Sequence, residues 1–409
     1  MRFTAFPEHR GLLELPWSVP LEKWPAELLA SYPRGVSRHV VRFVRIDGTV
    51  YAVKEIGQPV AEKEYRLLRD LERRGLPVVR AIGVVTDRVT PDGEPLDAAL
   101  VTRHLQFSLP YRAVFSRRLA PGTSGRLLDA MAELLVRLHL AGFVWNDCSL
   151  SNTLFRRDAE TFAAYLVDAE TGDFRDPLSD QSREYDVEVA TENVAGELLD
   201  LAAGDLLDPS VDPFATAREL APRYAGLWDE LTRTEVVDPN EYGRIEARIR
   251  RLNDLGYDVG EVQLSEEDDG SRLSFRTQVV EPGHHRRRLR ELTGLDVEER
   301  QARRLLGDLD SYRAAAVMPG TDVDEATAAR HWLTEIFGPL TSAVPAELRG
   351  KLEPAQLFHE MLDHRWYLSE QAGHEVRLED AADDYLRTVL TAKPDESAVL
   401  IAPDLRTDQ

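Results

Sequence analysis

The amino-acid sequence predicts an α+β fold in three parts: a β-rich lobe with one helix over residues 1–105, a mainly helical lobe over 106–238, and a mostly helical C-terminal domain with a β-hairpin over 239–409. Three observations predict it. Residues 38–56, RHVVRFVRIDGTVYAVKEI, alternate β-branched with polar residues around an Asp47-Gly48 turn. From Ser124 the apolar period becomes helical, SGRLLDAMAELLVRLHLAG, and stops at Gly142. Beyond VVDPNEYG at 236–243, read as a domain boundary, the strands VGEVQL and RLSFRTQVV flank the turn SEEDDGS.

Between these landmarks the elements follow in order. Pro59 opens a helix, PVAEKEYRLLRDLERRG, that Gly75 and Pro77 end. Strands near 78–86 and 97–104 enclose the loop DRVTPDGEPLD. Short β segments at 144–145 and 165–168 frame a loop and a turn, and a long helix from about Tyr185 to Ala203 completes the second lobe. A helix at 243–255 precedes the late hairpin, and helix then runs to about Ala392.

Composition narrows the function classes. A formal charge of −22 opposes long-range attraction to nucleic acid or anionic membranes. Cys148 is the only cysteine, which excludes an intramolecular disulfide and a cysteine zinc cluster. The ten histidines show no HExxH or comparable ligand spacing. The start, MRFTAFPEHRGLLELPW, lacks a basic segment followed by an apolar one, and no window approaches the ~20 apolar residues of a membrane span, so a cytoplasmic protein is expected. Basic residues are mostly arginine; the lysines are Lys23, Lys54, Lys63, Lys351 and Lys393.

A lysine inside a strand therefore stands out, and YAVKEI at 51–56 holds Lys54. Two glutamates on the next helix compete to pair with it. At ~100° per residue, Val60, Glu64, Leu67, Leu68 and Leu71 share one face, and Glu62 falls opposite. A carboxylate amid an apolar stripe needs a cation, which points to Lys54 with Glu64, and leaves Glu62 as a solvated residue of the helix start.

After the helix ending at Gly142 comes GFVWNDCSLSNTLF, in which Asn152 follows Asp147 by five residues. That spacing lets a carboxylate accept a hydrogen bond from an attacking hydroxyl while an amide oxygen of the same loop reaches a magnesium ion on phosphates. Sixteen residues past Asn152 lies Asp168 in YLVDAETG, a gap that suits a β-hairpin returning a second metal-binding oxygen. Taken alone, each is an ordinary loop or turn residue.

In this order, Lys54, Glu64, Asp147, Asn152 and Asp168 make residues 1–238 resemble the protein-kinase-like superfamily, in its small-molecule and lipopolysaccharide-kinase branch. The whole chain resembles a bacterial family with such an N-terminal half and a C-terminal domain of unknown role. The resemblance implies a bilobal protein-kinase-like fold and an ATP- and Mg2+-dependent phosphotransferase acting on a hydroxyl of a small molecule or glycan. It implies Asp147, Lys54 and Glu64 as the catalytic set and Asn152, Asp168 and Glu170 at the metal. Lys54, Ser37, Arg38, Arg103, His104 and Leu105 would contact the nucleotide. It also implies that His139 and Asp186 meet beneath the catalytic loop. Asp168-Ala169-Glu170 looks like the Asp-x-Glu of aminoglycoside and choline kinases, with Asn146 before the catalytic acid.

Departures from protein kinases shape the expected substrate. YPRGVSRHV has one glycine, Gly35, for the usual three; Asn146 replaces an arginine; and Ser149 replaces a lysine. Seventeen residues separate Asp168 from Asp186 without an Ala-Pro-Glu segment, leaving little platform for a peptide. A pseudokinase or nucleotide-binding scaffold is the first alternative. The second is a nucleic-acid-associated module using His284, His285, Arg286, Arg287, Arg288 and Arg290, which the net charge opposes; those cations are expected to meet acids of this chain.

Overall fold

The computed structural model describes residues 1–5, 7–30, 39–115, 122–237, 242–266, 273–316 and 324–397. Contacts divide the described residues into two compact units: the first holds Met1–Arg156 and Ala164–Tyr224, the second Arg157–Ala163 and Ala225–Ser397. In the first unit the strands β1 (Arg2–Ala5), β2 (Val40–Ile46), β3 (Thr49–Ile56), β4 (Ala81–Thr86) and β5 (Ala98–Arg103) form an antiparallel sheet in the order β1-β4-β5-β3-β2. Asp47 and Gly48 both have positive φ, the primed turn whose twist matches a two-residue hairpin. Helix α1 (Gln58–Arg73) buries Glu64, Leu67, Leu68 and Leu71. Val60, expected on that buried stripe, is 38% exposed, whereas its neighbour Ala61 is buried. The strand β1 was not expected: RFTA is too short for a period of two to be read.

Helix α2 (Thr123–Leu140), buried over most of its length, leads into the loop that holds Asp147. The hairpin β6 (Thr153–Asp158) and β7 (Thr161–Leu166) joins Asn152 to Asp168, and helix α3 (Asp180–Ala203) follows with Ser179 as its N-cap. In the second unit, β8 (Thr234–Val237) pairs with β10 (Leu273–Pro282), which also pairs with β9 (Tyr257–Glu266). The segment read as a domain boundary at 236–243 thus begins within a strand, because the β-branched pair Val236-Val237 extends the sheet. One helical core gathers around Trp332, Phe337 and Phe358, and a second around Met361, Tyr385 and Leu390.

Candidate active site

Strand β3 presents Lys54 beside α1 and the turn after β7. Its Nζ donates to Asp168 Oδ2 at 2.6 Å, Glu170 Oε2 at 3.1 Å and Glu64 Oε2 at 3.2 Å. Glu64 is 1% exposed, while Glu62 accepts from Arg2 at 3.0 Å and from Gln58 at 3.2 Å. Three carboxylates thus surround one ammonium, with ligand oxygens of Glu64, Asp168 and Glu170 all within 4.8 Å of one another. Burial would lower the Lys54 pKa, but Glu64, Asp168 and Glu170 outweigh it and hold the ammonium above its ordinary value. Burial, then repulsion from Asp168, pushes Glu64 up to about 8 despite Lys54. Glu170 Oε2 also lies 3.4 Å from His39 Nε2, and an oxygen-rich site of three carboxylates suits a hard divalent cation.

The loop after α2 is held from below by α3. Asp186, fully buried, accepts from the backbone N–H groups of Trp145 at 2.8 Å and Asn146 at 2.7 Å, and its Oδ2 lies 3.0 Å from His139 Nε2. His139 Nδ1 in turn lies 2.7 Å from the Tyr224 hydroxyl. Asn146 has φ 62, a left-handed conformation that asparagine tolerates better than most residues, and its side chain donates to Thr171 O at 3.1 Å. Asn146 therefore has a backbone role that its place before Asp147 did not disclose.

Asp147 is held on both oxygens: Asn193 donates to Oδ1 at 3.3 Å and Asn152 to Oδ2 at 3.1 Å. Glu197 accepts from the N–H groups of Leu150 at 2.6 Å and Ser151 at 2.9 Å. Neither Asn193 nor Glu197 was singled out in the sequence. The available signal was periodic: at ~100° per residue, Asp186, Asn193 and Glu197 fall within about 40° of one another, three polar residues on the buried face of α3. Ser149 is turned into the loop, its Oγ accepting from Asn152 N at 3.2 Å.

Residues 28–191 match the lipopolysaccharide kinase (Kdo/WaaP) family. Residues 226–390 match a domain of unknown function (DUF4032). No curated protein matches the chain. Among solved structures, one described as WaaP in complex with acyl carrier protein is similar at 19% identity and a TM-score of 0.37, covering 62% of this chain and 99% of that one. The stretch matched to the Kdo/WaaP family contains Lys54, Glu64, Asp147, Asn152, Asp168 and Asp186, whereas Asn193 and Glu197 lie just beyond it.

The expected nucleotide contacts divide. Ser37 and Arg38 lie outside the described residues. Arg103 ends β5, exposed, with its N–H given to Arg80 O; His104 gives its N–H to Val50 O at 2.9 Å, and burial lowers its imidazole pKa to about 4. Leu105 follows, half-buried. Among the described residues a second group with metal-ligating atoms is Glu160, His359 and Asp363 in the second unit. There Asp363 accepts from Arg304 at 3.2 Å and lies 3.2 Å from His359, so a guanidinium and an imidazole already face it. No helix among the described residues is long and apolar enough to cross a membrane.

Proposed function

We propose that the chain is an ATP- and Mg2+-dependent phosphotransferase whose acceptor is a hydroxyl of a small molecule or glycan. The observation that carries this reading is the convergence on Lys54 of Glu64 from α1 and of Asp168 and Glu170 from the turn after β7. In this reading Lys54 binds the nucleotide phosphates, and Glu64 holds its ammonium in place. Arg103, His104 and Leu105 border the base, and residues 1–105, 106–238 and 239–409 serve as two kinase-like lobes and a C-terminal domain. Asn152, Asp168 and Glu170 would hold Mg2+, which when bound supplies positive charge to the phosphate oxygens. Asp147 accepts a hydrogen bond from the acceptor hydroxyl. That oxygen forms a bond to the γ-phosphorus as the bond to the β–γ bridging oxygen breaks, and the hydroxyl proton passes to the Asp147 carboxylate.

A nucleotide-binding scaffold without turnover is the second reading, favoured by Ser149, whose hydroxyl serves the loop and leaves no lysine there. The test measures ATP binding by thermal shift, and phosphate transfer to water and to a panel of sugars and small alcohols. Asp147→Asn should lose about 10²–10⁴-fold in turnover with nucleotide binding retained, because its role is toward the acceptor. A wild-type protein that binds ATP without any transfer supports the scaffold, and efficient transfer to generic proteins would sink the small-acceptor proposal.

A further inference from the structure

Between Asn152 and Asp168 the chain runs out along β6 and back along β7, and the hairpin closes at its base where Val167 N–H donates to Asn152 O at 3.0 Å. The two strands have different supports. Strand β6 pairs with residues Ser108–Pro110, whereas Leu166 of β7 exchanges backbone bonds with Pro77 and Val79. The hairpin tip, Arg157–Ala163, belongs to the second unit. There it is held by a buried polar network. Asp158 Oδ1 accepts from the backbone N–H of Gln301 at 2.8 Å, in the first turn of helix α4 (Glu299–Ala316). Gln301 Nε2 donates to Arg157 O at 3.0 Å and to Gln356 Oε1 at 3.1 Å. Gln356 Nε2 donates to Ala159 O at 3.0 Å, and Arg157 Nε donates to Glu396 at 2.7 Å. Asp158, Gln301, Gln356 and Glu396 are all buried. A tip facing water needs no such partners; here three successive residues place backbone or side-chain polar groups where losing one partner strands the others.

We infer that the C-terminal unit acts as a positioning element for the proposed metal site: by holding the hairpin tip it locks β6 to β7 and so sets the spacing of Asn152 and Asp168. What those two residues hold rests on the phosphotransferase reading; the mechanical coupling does not. The test uses the full chain with Asp158→Ala, Gln356→Ala and the conservative Asp158→Asn, whose amide oxygen still accepts from Gln301. Two quantities are measured: hydrogen exchange at Val167, relative to amides of β3 that report global opening, and the Mg2+ concentration at half-saturation of ATP binding. Asp158→Ala and Gln356→Ala should each accelerate Val167 exchange and raise the Mg2+ requirement about tenfold, the lower end of what displaced supporting residues cost a metal site. Asp158→Asn should restore both. Lowered melting temperatures with Val167 exchange and Mg2+ requirement unchanged would overturn the inference and leave the network a purely structural one. If the wild type shows no Mg2+-dependent ATP binding, the phosphotransferase reading falls, and Val167 exchange alone decides the coupling.

Discussion

Around Lys54 one ammonium faces Glu64, Asp168 and Glu170, whereas on the helix His284–Thr293 of the second unit each of four basic residues has its own acceptor. Arg286 meets Asp296 at 2.8 Å, Arg288 meets Glu325 at 2.6 Å, His285 meets Glu299 at 2.8 Å, and Arg287 donates to Pro282 O at 2.8 Å. Sequence already favours the first cluster, since a strand lysine stands out among so many arginines, and the run of arginines is expected to meet acids of this chain. Balance of charge in the structure agrees. Basic groups that each hold an acceptor of their own have less to offer a ligand, while three carboxylates gathered on one lysine are a cost that a cation would relieve.

The comparison breaks first if matched, buried charge is not structural, and Asp186 is the extreme of the matched kind. Its two oxygens serve His139 and the N–H groups of Trp145 and Asn146, all out of water. Asp186→Ala should cost about 3–5 kcal/mol, because it leaves those donors buried and unpaired. Denaturant unfolding followed by circular dichroism measures it, and a loss under about 1 kcal/mol would mean that these bonds are not structural.

Glu64→Gln probes the unmatched kind, with effects of opposite sign on function and stability. Transfer should fall about 10–100-fold, as for other supporting partners of a metal or phosphate site. Stability should respond through linkage. Glu64 titrates at about 8 when folded, above its ordinary value, so the folded state binds the proton more tightly. Its contribution is therefore fully present below the unfolded pKa and is lost as pH rises toward about 8. Glutamine, always neutral, should flatten that decline in melting curves taken from pH 5 to 8.5. An unchanged slope would mean that Lys54 fully satisfies Glu64 and that the surplus of acid is only apparent.

How much of this could be read beforehand depends on whether a contact is local. Lys54 and Glu64 are ten residues apart, and helix geometry alone chose Glu64 over Glu62, because period and amphipathicity act within one element. Asp147 and Asn152 were legible from spacing within one loop. Glu170 bonding to Lys54 was not, since it depends on how the turn after β7 packs, 116 residues on. Nor was the division at the hairpin tip, where Asp158 reaches Gln301 across 143 residues. A short strand such as β1 left no period to read, and the polar positions Asn193 and Glu197 sat on a helix face that was periodic but not apolar.

The smallest expected effect sharpens the comparison from its other side. Arg288 and Arg286 are half-exposed, and so are their acids, so water screens both pairs and long side chains lose entropy to form them. Such pairs are worth about 0–1 kcal/mol, and Arg286→Ala with Arg288→Ala should lower stability by no more than about that each. The more informative measurement is binding of a random-sequence RNA at low and moderate salt. In a chain of net charge −22, arginines already committed to Asp296 and Glu325 should give no salt-dependent binding for the double variant to lose. RNA binding that falls steeply with salt and vanishes in the variant would show that these acids release their partners, and charge matching would then cease to separate structural clusters from functional ones.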